Sequence, residues 1–540
     1  MKLFNLYTDL GADSEGFELS LLNILSIALA IVLFAVCRMV DLGESVKLVL
    51  TVLSCAAALF NLIKAAALNI KNGRIISEAL VIAIAVICLA AIQEFFPAFL
   101  AAILYQLIKL AESLVIDRKH ALAYSTLNEM PDSPMGSTFK SFKAALKKPG
   151  RREELIAKFF RIYTPALLIV FLIISFIVPI FTGEWSASIK RGAAVLLWAC
   201  PLGVFSMVTL GRFWASRQVF ASGAYMKDSR TLETISSADT FICNKTCLLT
   251  EKEFYITDIK PKGMSESALI SLVNAVEAGS FHPIAEALRR YSGLEKKDPP
   301  QDLKFTETPG RGITAYVGEN IVYAGNAVML FEHEIQCDVP DMPGIALHVA
   351  VNGSYCGYIL FENRLRQDIY NPLEKLHSCG IKRLVLLSSD LRSVVRPIAS
   401  SLNFDTVKAE LSPENKLSSV EYLVSNANRG ATVIYAGNGC AELAFSEKAD
   451  VGVCIDAEAN PEAMHECDIS ILQDSLNPLP ELVSAAKTFT KRADFSIGVS
   501  LTARLAGLLL LIFGVITPVP AILLAFISSM FIIIMNSAKS

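Results

Sequence analysis

The chain has 540 residues, 53% of them hydrophobic and 19% charged, which excludes a disordered or collagen-like chain and fits no single soluble domain. Its 49 Lys and Arg against 52 Asp and Glu leave a formal charge of −3, too balanced to imply nucleic acid or an acidic ligand. Twelve cysteines are scattered with no CxxC, and six histidines form no HExxH or similar cluster, so the cysteines read as reduced thiols.

In chain order, the apolar excess gathers into runs long enough to cross a bilayer, which takes roughly 17–25 residues. The first, 19–37, carries no charge; it starts late, behind Asp9, Asp13, Glu15 and Glu18, and lacks the cationic stretch of a cleavable signal. Runs at about 48–63 and 79–93 follow, and after the Glu94-Phe95-Phe96-Pro97 break a fourth at 98–108. The 48 residues of 116–163 then hold ten Lys and Arg against five acids. The positive-inside bias puts this stretch, and with it 211–494, in the cytoplasm. Runs at 164–181 and 192–210 come next, the second carrying Cys200-Pro201. The last two, 497–517 and 519–535, are split at Pro518 and Pro520. The expectation is eight spans grouped four, two and two, in a multi-pass plasma-membrane protein with both termini cytoplasmic.

Between 211 and 494 the composition becomes that of an ordinary globular segment. Short β-rich runs at 240–244, 384–388 and 431–437 lie beside amphipathic stretches at 368–378, 392–402 and 414–425. Near-continuous apolar strands alternating with helices predict a parallel, doubly wound sheet. Ligands in such sheets sit beyond the strand C-termini, where Asn244, Ser388-Ser389-Asp390 and Gly437-Asn438-Gly439 stand. From about 251 to 361 the pattern changes to helices near 265–276 and 283–291, then strands around 313–323 and 345–361. That stretch reads as a second domain inserted into the first.

At these residues the chain resembles the heavy-metal-transporting class of P-type ATPases. The phosphorylation motif DKTGTLT is matched by Asn244-Lys245-Thr246-Cys247-Leu248-Leu249-Thr250, and the hinge motif GDGxND by Gly437-Asn438-Gly439-Cys440-Ala441-Glu442 followed by Ala449-Asp450-Val451-Gly452. Ser388-Ser389-Asp390 stands for TGD, and Ser412-Pro413-Glu414-Asn415-Lys416 carries the lysine element. Ser280-Phe281-His282-Pro283 matches the His-Pro signature of the class, with Glu277 at an acidic position, and Gly310-Arg311-Gly312 and Gly325-Asn326 match its glycine motifs. Cys200-Pro201-Leu202 stands where the class has CPC.

The resemblance implies an organisation. Transmembrane helices occupy 1–115, 164–211 and 495–540. An α/β, HAD-like phosphorylation-type domain takes 212–250 and 362–494, interrupted at 251–361 by an inserted α+β nucleotide-binding domain. The basic stretch 116–163 takes the place of the actuator domain; it is too short for that β-domain and lacks its TGE loop. Thr182-Gly183-Glu184 does occur, but behind the fifth span, and reads as chance. No CxxC metal-binding domain is expected ahead of the first span.

The resemblance also implies an adenine site at Glu277, His282, Gly310 and Gly312, and a transported-metal ligand at Cys200, whose thiolate suits Cu(I) or Zn²⁺. The catalytic set, Asn244, Lys245, Thr246, Asp390, Lys416, Asn438 and Glu442, departs from the pattern. An anionic carboxylate must attack the γ-phosphorus while Mg²⁺ neutralises charge. Asn244 and Asn438 remove two formal negative charges from that step, so the Mg²⁺ site is expected to be lost. The leading expectation is a pseudo-ATPase that binds ATP or another adenine nucleotide and has a regulatory, sensing or partner role. An active metal pump with atypical chemistry, and a passive metal channel, remain open. The partners in view are the lipid bilayer, a transition-metal ion and an intact transporter or another membrane protein, and no nucleic acid.

Overall fold

The computed structural model describes residues 21–40, 43–71, 76–128, 150–200, 204–228, 230–246, 248–280, 283–293, 304–308, 310–340, 344–439 and 442–537. They divide into two compact units, Met1–Ser237 with Glu481–Ser540, and Ala238–Pro480.

In the first unit every apolar run of the sequence is helical: Leu21–Met39, Glu44–Lys71, Glu78–Ala91, Phe95–Asn128, Arg151–Leu172 continuing to Thr182, Trp185–Ala199, Val204–Ala221, Pro478–Ile512 and Pro518–Ser537. Among the described residues four stretches are long and apolar enough to cross a membrane: Glu44–Lys71, Phe95–Glu112, Arg151–Thr182 and Pro478–Ile512. Ile24–Met39, Glu78–Ala91 and Val519–Phe531 are shorter apolar helices. Between apolar helices in lipid there is no hydrophobic drive to associate, so close backbone approach through small residues supplies the packing. Ala83, Ala85, Ala98, Ala102, Ala193 and Ala194 accordingly sit at the buried centre of the bundle beside Leu62, Ile82, Leu89 and Leu196, while Leu29, Leu155 and Ile169 are among the side chains turned outward. The missing side chain of Gly507 makes room for the Trp198 indole, which would lie 2.0 Å from a Cβ there. At one end of the bundle Lys109 bridges Glu78 at 3.2 Å and Glu112 at 3.0 Å, a half-buried charge cluster that apolar runs alone do not announce.

The second unit contains two sheets. The first is built from β1 (Ala238–Asn244), β8 (Arg383–Leu387), β9 (Thr406–Lys408), β10 (Thr432–Asn438), β11 (Val451–Ile455) and β12 (Ile469–Ile471). Its order is β12-β11-β10-β1-β8-β9, with every pair parallel. Such strands are covered on both faces and read as unbroken apolar runs. Ile242, Val385, Val433 and Tyr435 pack beneath Val420, Leu423 and Phe445 from flanking helices. Because the strands are parallel, their C-terminal ends share one edge: Asn244 pairs in register with Leu387, and Asn438 with Ile455. Asp450, part of a motif the resemblance singled out, has a structural task here, accepting from Val433 N at 2.8 Å.

The second sheet is antiparallel, in the order β2-β7-β6-β5-β4-β3, from β2 (Thr250–Pro261), β3 (Lys304–Thr308), β4 (Gly312–Val317), β5 (Asn320–Gly325), β6 (Ile345–Val351) and β7 (Ser354–Leu365). Helices Glu266–Val276 and Pro283–Tyr291 close it through Leu269, Val273, Ile284 and Leu288. Ser265 starts the first of them by accepting from Ala268 N, the N-cap role its hydroxyl suits.

Candidate functional site

The motif residues converge at the C-terminal edge of the parallel sheet. Asn244 ends β1 and is buried, 6% exposed. Its amide lies between a cation and an anion. The Oδ1 accepts from Lys416 Nζ at 3.3 Å and from Lys245 N at 3.0 Å. The Nδ2 donates to Glu442 Oε1 at 2.8 Å. That charge pattern fixes which way the amide faces, because only its nitrogen can donate. The other Glu442 oxygen accepts from the Tyr435 phenol. Burial, and then the Glu442 charge, push the Tyr435 hydroxyl well above its ordinary pKa, so it remains a donor.

The second half of the site is an ion pair. Lys245 Nζ lies 2.5 Å from Asp390 Oδ2, and Ser388 Oγ donates to the same carboxylate at 3.1 Å. Thr246 is exposed beside them. Asn438 ends β10, and its Oδ1 accepts from Asn460 Nδ2 at 3.4 Å. Thus the structure brings Asn244, Lys245, Asp390, Lys416 and Glu442 together, two lysines balanced by two carboxylates. Among the described residues no group of three or more His, Cys, Asp and Glu side chains is placed to hold a metal ion. Sequence reasoning missed Tyr435, whose ring reads as core because it packs against Phe445 at 5.7 Å.

In the antiparallel domain Glu277 ends the Glu266–Val276 helix and is 5% exposed. Its Oε2 is buried with no hydrogen-bond partner. Burial pushes the carboxyl up to about 7, against smaller lowering effects from Ser280 and Arg289. An unpaired buried acceptor of this kind is costly unless something donates to it. Gly310 and Gly312 lie at the start of β4, both at positive φ, +72° and +147°. A Cβ on Gly312 would stand 2.3 Å from Ala324 O, so β5 packs where only glycine fits. His282 lies outside the described residues.

In the membrane unit the Trp185–Ala199 helix ends at Cys200, which turns extended at ψ 128°. The next helix begins at Val204, with residues 201–203 outside the described set. A helix interrupted among apolar helices leaves carbonyls that need donors. They find them within the protein. Arg504 Nη1 donates to Trp198 O at 2.9 Å and also to Cys200 O, while Nη2 reaches Ser529 Oγ at 3.3 Å. Tyr163 donates to Ala199 O at 2.9 Å. A charged side chain in an apolar helix is costly unless it faces protein or water, and Arg504, 5% exposed, faces protein. Cys200 is fully buried next to this guanidinium.

No family model matches the chain. Among curated proteins it is 27% identical over 379 residues to a zinc-transporting ATPase of Synechocystis sp., which covers 69% of this chain and 52% of that protein. It is 29% identical over 378 residues to a cadmium, zinc and cobalt-transporting ATPase of Bacillus subtilis, covering 69% and 53%. A protein of the same description from Helicobacter pylori is 30% identical over 361 residues, covering 66% and 52%. The chain thus spans about half the length of the curated relatives it matches. Among solved structures, a zinc-transporting PIB-type ATPase superposes with a TM-score of 0.61 at 20% identity, covering 96% of this chain and 99% of that one. A second solved structure of a zinc-transporting PIB-type ATPase gives 0.52 at 19% identity, covering 94% and 99%. At those identities the likeness speaks for the fold, and the sequence matches carry descent. The chain is a homologue of the heavy-metal-transporting class of P-type ATPases.

Proposed function

We propose that this protein is a pseudo-ATPase: eight membrane helices and a HAD-like domain with an inserted nucleotide-binding domain, which holds an adenine nucleotide without forming a phosphoenzyme. The observation that carries the reading is the amide at position 244, held between Lys416 and Glu442. A neutral amide has no anionic oxygen with which to attack phosphorus. Mg²⁺ does not fit this site: Glu442 is engaged by Asn244 and Tyr435, Asp390 is engaged by Lys245, and the four charges already cancel. A hard cation that takes several oxygen ligands and needs excess negative charge finds neither. The same reading takes the 48 residues of 116–163 as too few for an actuator domain, with residues 129–149 outside the described set.

Nucleotide binding is supported by the orphaned Glu277 oxygen, an acceptor suited to an adenine amino group, and by the close backbone at Gly312, with Gly310 at positive φ two residues before it. The membrane unit supports a non-transporting role through Arg504, a tethered cation seated on the carbonyls of the broken helix. Regulation, sensing or partnership with an intact transporter then remains as the task of the chain, in a plasma membrane with its globular unit in the cytoplasm. The second reading, an active heavy-metal transporter of atypical chemistry, is favoured by the functions named for its relatives and by the Glu442 carboxylate beside residue 244.

Labelled ATP separates the two readings. The pseudo-ATPase gives no acid-stable, hydroxylamine-sensitive label on the full chain, with or without Zn²⁺ or Cd²⁺. Label that vanishes in Asn244→Ala or Glu442→Gln would establish the pump instead.

A further inference from the structure

The first turn of the Arg151–Leu172 helix presents backbone N–H groups that have no partner within the helix. Two carboxylates meet them. Glu153 reaches back to Gly150 N at 2.9 Å. Glu233, from the short Arg230–Ile235 helix, accepts from Arg152 N at 3.1 and 3.3 Å through its two oxygens. Both acids are buried, 2% and 6% exposed. A Cβ at Gly150 would stand 2.5 Å from Glu233 Oε1, so the approach of that carboxylate depends on glycine.

Arginines from neighbouring elements complete the cluster. Arg212, on the Val204–Ala221 helix and 5% exposed, lies 3.1 Å from Glu153. Arg152 forms a two-pronged pair with Asp494 of the Pro478–Ile512 helix, at 2.8 and 3.0 Å, and its Nη1 lies 3.7 Å from Glu233. Arg230 reaches Glu154 at 2.6 Å. Exposed pairs such as the last contribute little. The buried carboxylates differ: deleting one partner strands a charge away from water, which is strongly destabilising. Two of these elements are also the covalent connections to the Ala238–Pro480 unit. The Arg230–Ile235 helix ends just ahead of Ala238, and the helix bearing Asp494 begins at Pro478.

We propose that this ionic clasp binds the start of the Arg151–Leu172 helix and both covalent connections into one cooperative body, so that a rearrangement of the cytoplasmic unit is delivered to that helix through Glu233 and Asp494. The proposal does not depend on whether the chain turns over ATP.

Hydrogen exchange on the full chain in lipid nanodiscs tests it. Segments that open as one body share one opening free energy. Amides in 152–155, 231–236 and 490–496 are expected to exchange through a common opening in the wild type. Glu233→Gln should accelerate all three segments by about tenfold or more, and so should Asp494→Arg, which sets a like charge against Arg152, whereas Glu154→Gln, which removes only the exposed pair with Arg230, should leave them within about threefold of wild type. Should Glu233→Gln fail to fold, Gly150→Ala displaces the same carboxylate and is held to the same criterion. Distinct opening energies for the three segments in the wild type would overturn the proposal. So would acceleration confined to 152–155, or an effect of Glu154→Gln as large as that of Glu233→Gln.

Discussion

Burial of the Glu277 carboxyl sets a measurable pH signature. The folded state raises its pKa from 4.5 to about 7, burial being the main cause. Between those values the folded protein keeps a proton that the unfolded chain has released, so stability falls as pH rises through the window and levels off above about 7. The full shift corresponds to roughly 3 kcal/mol as an upper bound. Glu277→Gln, which mimics the protonated acid, should melt higher than wild type at about pH 8 and nearly level with it at about pH 5. Parallel melting curves for the two proteins across that range would remove this account. Adenine binding through the ionised oxygen should tighten over the same interval, since only that form accepts from an amino group at both oxygens.

Restoring a carboxylate at position 244 provides the complementary case. In Asn244→Asp an anionic oxygen would replace the Nδ2 that now donates to Glu442 at 2.8 Å. Two carboxylates at that distance cannot both stay ionised near neutral pH. The variant should lose about 1–3 kcal/mol of stability, recover part of it when millimolar Mg²⁺ screens the pair, and still show no turnover. A variant as stable as wild type without Mg²⁺ would mean that Glu442 is free to turn away.

At the scale of elements, most helices and the parallel strands were legible because their signals are local and strong. Runs such as Leu384–Leu387 and Val433–Tyr435, short, apolar and beside amphipathic stretches, read as covered strands and are strands. β2 was not foreseen. Its residues come as a charged block and then an apolar one (Glu251, Lys252, Glu253, then Phe254, Tyr255, Ile256), which matches neither the period-two alternation of a half-buried strand nor the continuous apolar run that marked the parallel strands. Within the site, the residues bearing formal charge were legible from motif order, whereas Tyr435 was hidden by its aromatic body and Asp450 was overvalued by its motif.

The interrupted helix makes its own prediction. Arg504 supplies donors to the carbonyls of Trp198 and the buried Cys200, so Arg504→Leu should cost several kcal/mol, about 1–3 for each stranded carbonyl. Arg504→Lys should recover only part, because a single ammonium cannot reproduce the planar fork that also reaches Ser529. Thermal unfolding in detergent gives the order wild type, Lys, Leu. An unchanged Leu variant would imply that other donors can serve these carbonyls.

For the whole molecule, the two compact units make different demands on their surroundings. The membrane unit turns Phe181, Phe513 and Leu505 outward and depends on lipid for cover. Ala238–Pro480 carries two sheets with their own buried clusters, one around Ile242, Val385 and Tyr435, the other around Val273, Leu288 and Phe361. A unit that buries its apolar surface within itself can fold without the remainder of the chain. Residues 238–480 expressed alone should therefore be monomeric and unfold cooperatively. The same fragment should bind ATP weakly and with nearly equal affinity in Mg²⁺ and in EDTA, because the site has no uncommitted carboxylate pair for the metal. Calorimetry in both buffers measures this directly. Binding strengthened tenfold or more by Mg²⁺ would show that Glu442 or Asp390 leaves its present partner to hold the ion, and would move the balance toward an active transporter.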